Sequence, residues 1–98
     1  MTNEHKKTLL HFLDRPGMYI QLIDKINIIS FITGYEIGSN NECNFTTVLS
    51  EFINKEYKIV RNRLGGPGQL QQYSDKNNID WITSLKQIGV VILGFSDI

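Results

Sequence analysis

A single cysteine, two prolines, one tryptophan and no net charge are the first things this chain of 98 residues lacks in quantity. With Cys43 alone, no intramolecular disulfide is possible, and the reducing cytoplasm is the expected compartment. A zinc site would need His5 or His11 brought in from elsewhere, and the spacing of six positions puts those two histidines on different sides of a helix. No metal and no cofactor is therefore expected. Ten basic and ten acidic residues cancel, so no global field draws in nucleic acid or an anionic membrane. No run approaches the roughly 20 apolar residues needed to cross a bilayer, and the short apolar stretch after the polar N-terminus lacks a signal-peptide core and cleavage site.

What is present suits one folded domain, residues 1–98. An apolar fraction of 41% and a charged fraction of 20% are globular values. The chain is too short for a second core. The expected fold is mainly α, a small bundle of three to five helices, with a short C-terminal strand as an open possibility.

Leu9, Leu10, Phe12 and Leu13 fall at helical spacing, which predicts a first helix over 3–13. Asp14, Arg15, Pro16 and Gly17 should end it. A second helix is expected over 24–37, capped by Asp24 and stopped by Gly38. Its isoleucines, Ile26, Ile28, Ile29 and Ile32, also suit a strand. The third helix is expected over 44–60 behind Asn44, on the apolar stripe Phe45, Val48, Leu49, Phe52, Ile53, Tyr57 and Val60. Residues 63–78 turn to Gly, Gln, Asn, Ser and Pro and read as a long surface loop. Asn78 or Asp80 would cap a fourth helix carrying Trp81, Ile82 and Leu85, with Gly89 near its end. Residues 90–95 then form a short strand or a last buried turn. The expected core holds Leu10, Leu13, Phe31, Ile32, Leu49, Phe52, Ile53 and Trp81.

Few motifs carry chemistry. Leu64, Gly65, Gly66, Pro67, Gly68 and Gln69 have glycines that can approach a phosphate, but lack the Gly-Lys-Ser/Thr of a P-loop, and read as a flexible turn. Cys43 stands in a polar loop before a helix N-terminus, where a thiolate is favoured, but no base or oxyanion site accompanies it. Charge is more informative. From 27 to 54 the only ionic residues are Glu36, Glu42 and Glu51, and Lys55, Lys58, Arg61 and Arg63 follow close behind. An acidic stretch of this kind fits a basic protein partner, such as an enzyme that cuts nucleic acid.

The hexapeptide Arg15-Pro16-Gly17-Met18-Tyr19-Ile20 matches a segment near the start of the ATPase domain of DNA gyrase. The Asp-x-Gly-x-Gly motif through which those enzymes hold ATP does not follow, so here it reads as a helix stop whose Met18, Tyr19 and Ile20 dock on the core. Taken with Phe31-Ile32-x-Gly34-Tyr35, the Phe-rich third helix and the late Trp81, it resembles small bacterial immunity proteins of toxin systems over residues 9–85. The resemblance implies a non-catalytic domain that binds a cognate protein toxin in the cytoplasm, with Glu36, Glu42, Glu51 and Tyr35 as leading contacts. Two other readings stay open: a small nucleic-acid-binding or regulatory protein using Lys55 to Arg63, and an enzyme with Cys43 as nucleophile.

Overall fold

The computed structural model of the chain describes residues 1–94. Five α-helices follow in order: α1 (Asn3–Asp14), α2 (Lys25–Gly38), α3 (Phe45–Tyr57), α4 (Gly65–Asn77) and α5 (Trp81–Gly94), with a 3-10 turn at Pro16–Met18. No strand occurs among the described residues. The open choice at 90–95 resolves to helix as far as Gly94, and Phe95 lies outside the described residues.

Four of the five helices begin where a side chain satisfies a free amide, and α4, behind Leu64, does not. Thr2 caps α1 by accepting from the His5 amide at 3.2 Å, while the His5 ring accepts from the Thr2 amide at 3.3 Å. The Asp24 carboxylate accepts from the Asn27 amide at 2.8 Å, as its position before α2 implied. Asp80 does the same for Thr83 in α5. Helix α3 departs from expectation: Asn44 occupies the cap position without bonding through its side chain. Its place is taken by Glu36, ten residues back on α2, whose carboxylate accepts from the Thr46 amide at 2.8 Å and from the Thr46 hydroxyl at 2.9 Å.

The expected loop over 63–78 is a helix, and this is the main correction to the reading of the sequence. Helix α4 is polar by composition, yet it buries Gly66, Gly68, Gln69, Leu70 and Ser74. Its burial rests on small residues and satisfied polar groups instead of an apolar stripe. The fully buried Gln69 amide donates to the carbonyls of Ile59 at 2.8 Å and Ser50 at 3.2 Å, and its oxygen accepts from the Ser50 hydroxyl at 2.5 Å. Ser74 bonds the Leu70 carbonyl and Ser84 of α5. A side chain at Gly66 would stand 2.8 Å from the Thr46 carbonyl oxygen, so α4 lies against α3 only because that position has none. Of the two caps expected for the last helix, Asp80 takes the role, and Asn78 closes α4 in the left-handed conformation at φ 54°.

The core joins Leu9, Phe12 and Leu13 of α1, Ile28 and Ile32 of α2, Phe45, Leu49 and Ile53 of α3, Leu70 of α4 and Trp81, Leu85, Ile88 and Leu93 of α5. Of the expected core, Leu13, Ile32, Leu49, Ile53 and Trp81 are buried, whereas Leu10, Phe31 and Phe52 pack on its edge. Gly89 does not end α5; it is where α1 crosses, with Leu13 Cδ1 filling the space its side chain would need.

Candidate functional site

Helix α2 carries isoleucines on both its inner and its outer side, and that is unusual for a helix with solvent on one flank. Ile28 and Ile32 face the core. Ile26 and Ile37 are 75% and 66% exposed. Eleven residues apart, they fall within about 20° of each other around the helix, and Ser30 and Thr33 between them are exposed as well. One outward stripe therefore runs the length of α2 with an isoleucine at each end.

The segment leading into α2 is anchored by aromatic packing and also leaves large apolar side chains exposed. Phe12 stacks on Phe31 with ring centroids 4.1 Å apart, and Tyr19 meets both rings edge-on at 5.6 and 5.3 Å. The Tyr19 hydroxyl also pairs with His11 Nδ1 at 2.6 Å. Buried Pro16 and partly buried Ile20 hold the rest of the segment down. Met18, expected to dock on the core, is instead 68% exposed, and Leu22 and Ile23 are exposed beside it in the chain. The hexapeptide thus pins Tyr19 and Ile20, as expected, and leaves Met18 in water.

The four residues named as leading contacts have different settings. Tyr35 is half-buried, stacked at 6.2 Å on Phe31 and edge-on to His5. Glu36 is half-buried and engaged with Thr46, which gives it a structural task as the cap of α3. Glu42 is exposed in the α2–α3 connection, close in sequence to the Ile37 end of the outward stripe. Glu51 is exposed on α3, five residues and about 140° around the helix from Thr46. Glu36 and Glu51 therefore lie on different faces of α3, and only Glu42 neighbours the stripe.

The basic residues also separate. Lys55 is exposed on α3, Lys58 ends that helix at φ 59°, and Arg61 and Arg63 line a groove of about 320 Å³ with Thr46, Thr47, Glu36 and the start of α4. The glycines of 65–68, read as a flexible turn, are the first turn of α4. Gly65 has the positive φ of 64° that the entry into the helix requires.

Cys43 is not a loop thiol in water. Its side chain is buried, and burial pushes the thiol up from its ordinary value of 9.0, against a lowering hydrogen bond from the Phe45 amide; the Glu36 charge adds to the rise. The thiolate favoured by the sequence position is thereby disfavoured by the packing. Among the described residues no group of three His, Cys, Asp or Glu lies close enough to hold a metal ion. No described helix is long and apolar enough to cross a membrane.

The exposed isoleucines were visible in the sequence as the helix-or-strand ambiguity of α2. A helix with isoleucines on two opposite sides has no single apolar face, and burial of Ile28 and Ile32 leaves Ile26 and Ile37 in solvent. Comparison with family models, curated proteins and solved structures finds no match for the chain.

Proposed function

We propose that this chain is a non-catalytic protein-binding domain that neutralises a cognate toxin in the cytoplasm by direct association, with α2 and the segment before it as the contact surface. The observation that carries the proposal is the outward stripe of α2, where Ile26 and Ile37 stand 75% and 66% exposed, with Met18 and Leu22 of the segment before it at 68% and 64%. Several large apolar side chains left in water on one element and the segment before it support an interaction site, because their exposure forfeits the free energy that burial would supply. The resemblance of the Arg15 to Ile20 segment to immunity proteins falls on the same part of the chain.

The acidic residues supply selectivity in this scheme. Glu42, exposed next to the Ile37 end, steers a basic partner such as a nuclease onto the apolar stripe, and Glu51 adds to the field from α3. Glu36 contributes through position alone, by fixing the α2–α3 connection on which Glu42 is carried. Tyr35 supports the stripe from its inner side. The toxin's own chemistry is then blocked by occlusion, and no step of catalysis falls to this chain.

The test is co-expression with the toxin candidate specified by the adjacent gene. Wild-type protein should protect growth, and the double substitution Ile26→Lys/Ile37→Lys should abolish protection while the soluble yield and helical circular dichroism stay unchanged. Full protection by the double variant would place the contact elsewhere.

A further inference from the structure

We infer that a second surface, the groove between the flank of α2 and residues 61–68, is a docking site for an extended, acidic protein segment. Two adjoining hollows of about 320 and 280 Å³ share Ile29, Leu64 and Pro67 and so form one continuous trough. Its α2 wall carries Lys25, Ile29 and Glu36, a span of eleven residues or about 16 Å of helix. An extended strand covers that length in about five residues.

Charge selects the occupant. The trough presents Lys25, Arg61 and Arg63 against Glu36, three positive groups less one negative, hence a net charge of +2. Both Glu36 oxygens are already occupied by Thr46. Lys25 is held at one end by Gln71 at 2.6 Å and lies 5.4 Å from the Trp81 ring centre. At the other end an Arg61 terminal nitrogen reaches over Gly65, and neither Arg61 nor Arg63 has an ion-pair or hydrogen-bond partner among the described residues. These arginines are the free cations of the trough. Between the charged ends the floor is apolar, with Leu64 73% exposed. A segment alternating acidic and aliphatic side chains matches both features. Carboxylates on one side of the strand reach Arg61 and Arg63, and an aliphatic residue covers Ile29 and Leu64. A single-stranded nucleic acid fits less well, because no aromatic ring lines the trough to stack a base and the Glu36 charge faces the phosphates.

The trough adjoins the outward stripe at Thr33, but neither Ile26 nor Ile37 lines it, so the isoleucine and arginine variants test the two surfaces separately. Trp81 reports on it directly: the chain's one tryptophan donates its indole N–H to the Pro67 carbonyl in the trough wall at 3.2 Å. The experiment is a fluorescence titration of the intact protein with an acetylated, amidated hexapeptide alternating glutamate and leucine. The same peptide with lysine for glutamate, inorganic phosphate and a short oligothymidylate are titrated in parallel. The acidic peptide should shift Trp81 emission, and salt should weaken its binding. Arg61→Ala/Arg63→Ala, at two exposed positions, should weaken it roughly tenfold without altering the melting temperature. Four outcomes overturn the inference: no response to the acidic peptide at low salt, equal binding by the lysine peptide, tighter binding of phosphate or oligothymidylate, or unchanged affinity in the double variant.

Discussion

Helices α2 and α4 have 14 and 13 residues and invert the usual relation between composition and burial. Helix α4 carries three glycines, three glutamines and a serine in its 13 residues, and its inner face is sealed by Gln69, Ser74 and close backbone contact. Helix α2 carries five isoleucines and a phenylalanine, and buries only Ile28 and Ile32 fully. The pair separates two things that hydropathy merges. Polar residues enter a core when every donor and acceptor is matched, and here no buried side-chain polar atom among the described residues lacks a partner. Apolar residues of α2 stay outside, with Ile26 and Ile37 75% and 66% exposed, because its inner side takes only Ile28 and Ile32 into the core.

The comparison breaks most visibly at Gln69. Gln69→Ala strips partners from the Ile59 carbonyl and the Ser50 hydroxyl and leaves a void, so it should cost roughly 3 kcal/mol, read as a lower urea midpoint. A surface-loop glutamine would cost almost nothing. Gly66→Ala comes next: its methyl group would meet the Thr46 carbonyl, a backbone atom that cannot rotate away, and a loss of about 2 kcal/mol is expected in the same assay.

Cys43 gives a smaller, pH-dependent effect. Burial raises its folded pKa, so the folded chain keeps a proton that the unfolded chain loses above the ordinary value of 9.0. Stability from this source is therefore intact below that pH and falls as pH rises through it. Cys43→Ala should reduce the alkaline slope of the urea midpoint; an unchanged slope would assign it to other groups. The smallest effect belongs to α2. Ile26→Lys and Ile37→Lys, both at exposed positions, should each shift stability by no more than about 0.5 kcal/mol, and a large loss would show that the stripe is part of the core.

The same contrast explains what the sequence disclosed. Helix α3 was legible because Phe45, Leu49 and Ile53 repeat at helical spacing and all three are buried. The stop at Pro16 and the caps at Asp24 and Asp80 were legible because each acts within a few residues of itself. Helix α4 was not, since the partners that make Gln69 a core residue are ten and nineteen positions away. The cap of α3 was missed for the same reason, with Glu36 supplying from another helix what Asn44 does not. The acidic residues were identified correctly as a run in the sequence. Their division between a capping role at Glu36 and exposed positions at Glu42 and Glu51 depends on how α3 is turned, which composition does not specify.

The proposal that the exposed isoleucines of α2 form a partner-binding surface is tested most directly by isothermal titration of the purified candidate toxin specified by the adjacent gene into wild type and the Ile26→Lys/Ile37→Lys variant. The expected result is saturable 1:1 binding by wild type with a negative heat-capacity change, and a loss of roughly a hundredfold or more in affinity for the variant. Binding of equal strength by both proteins, or no binding by wild type, would contradict the claim.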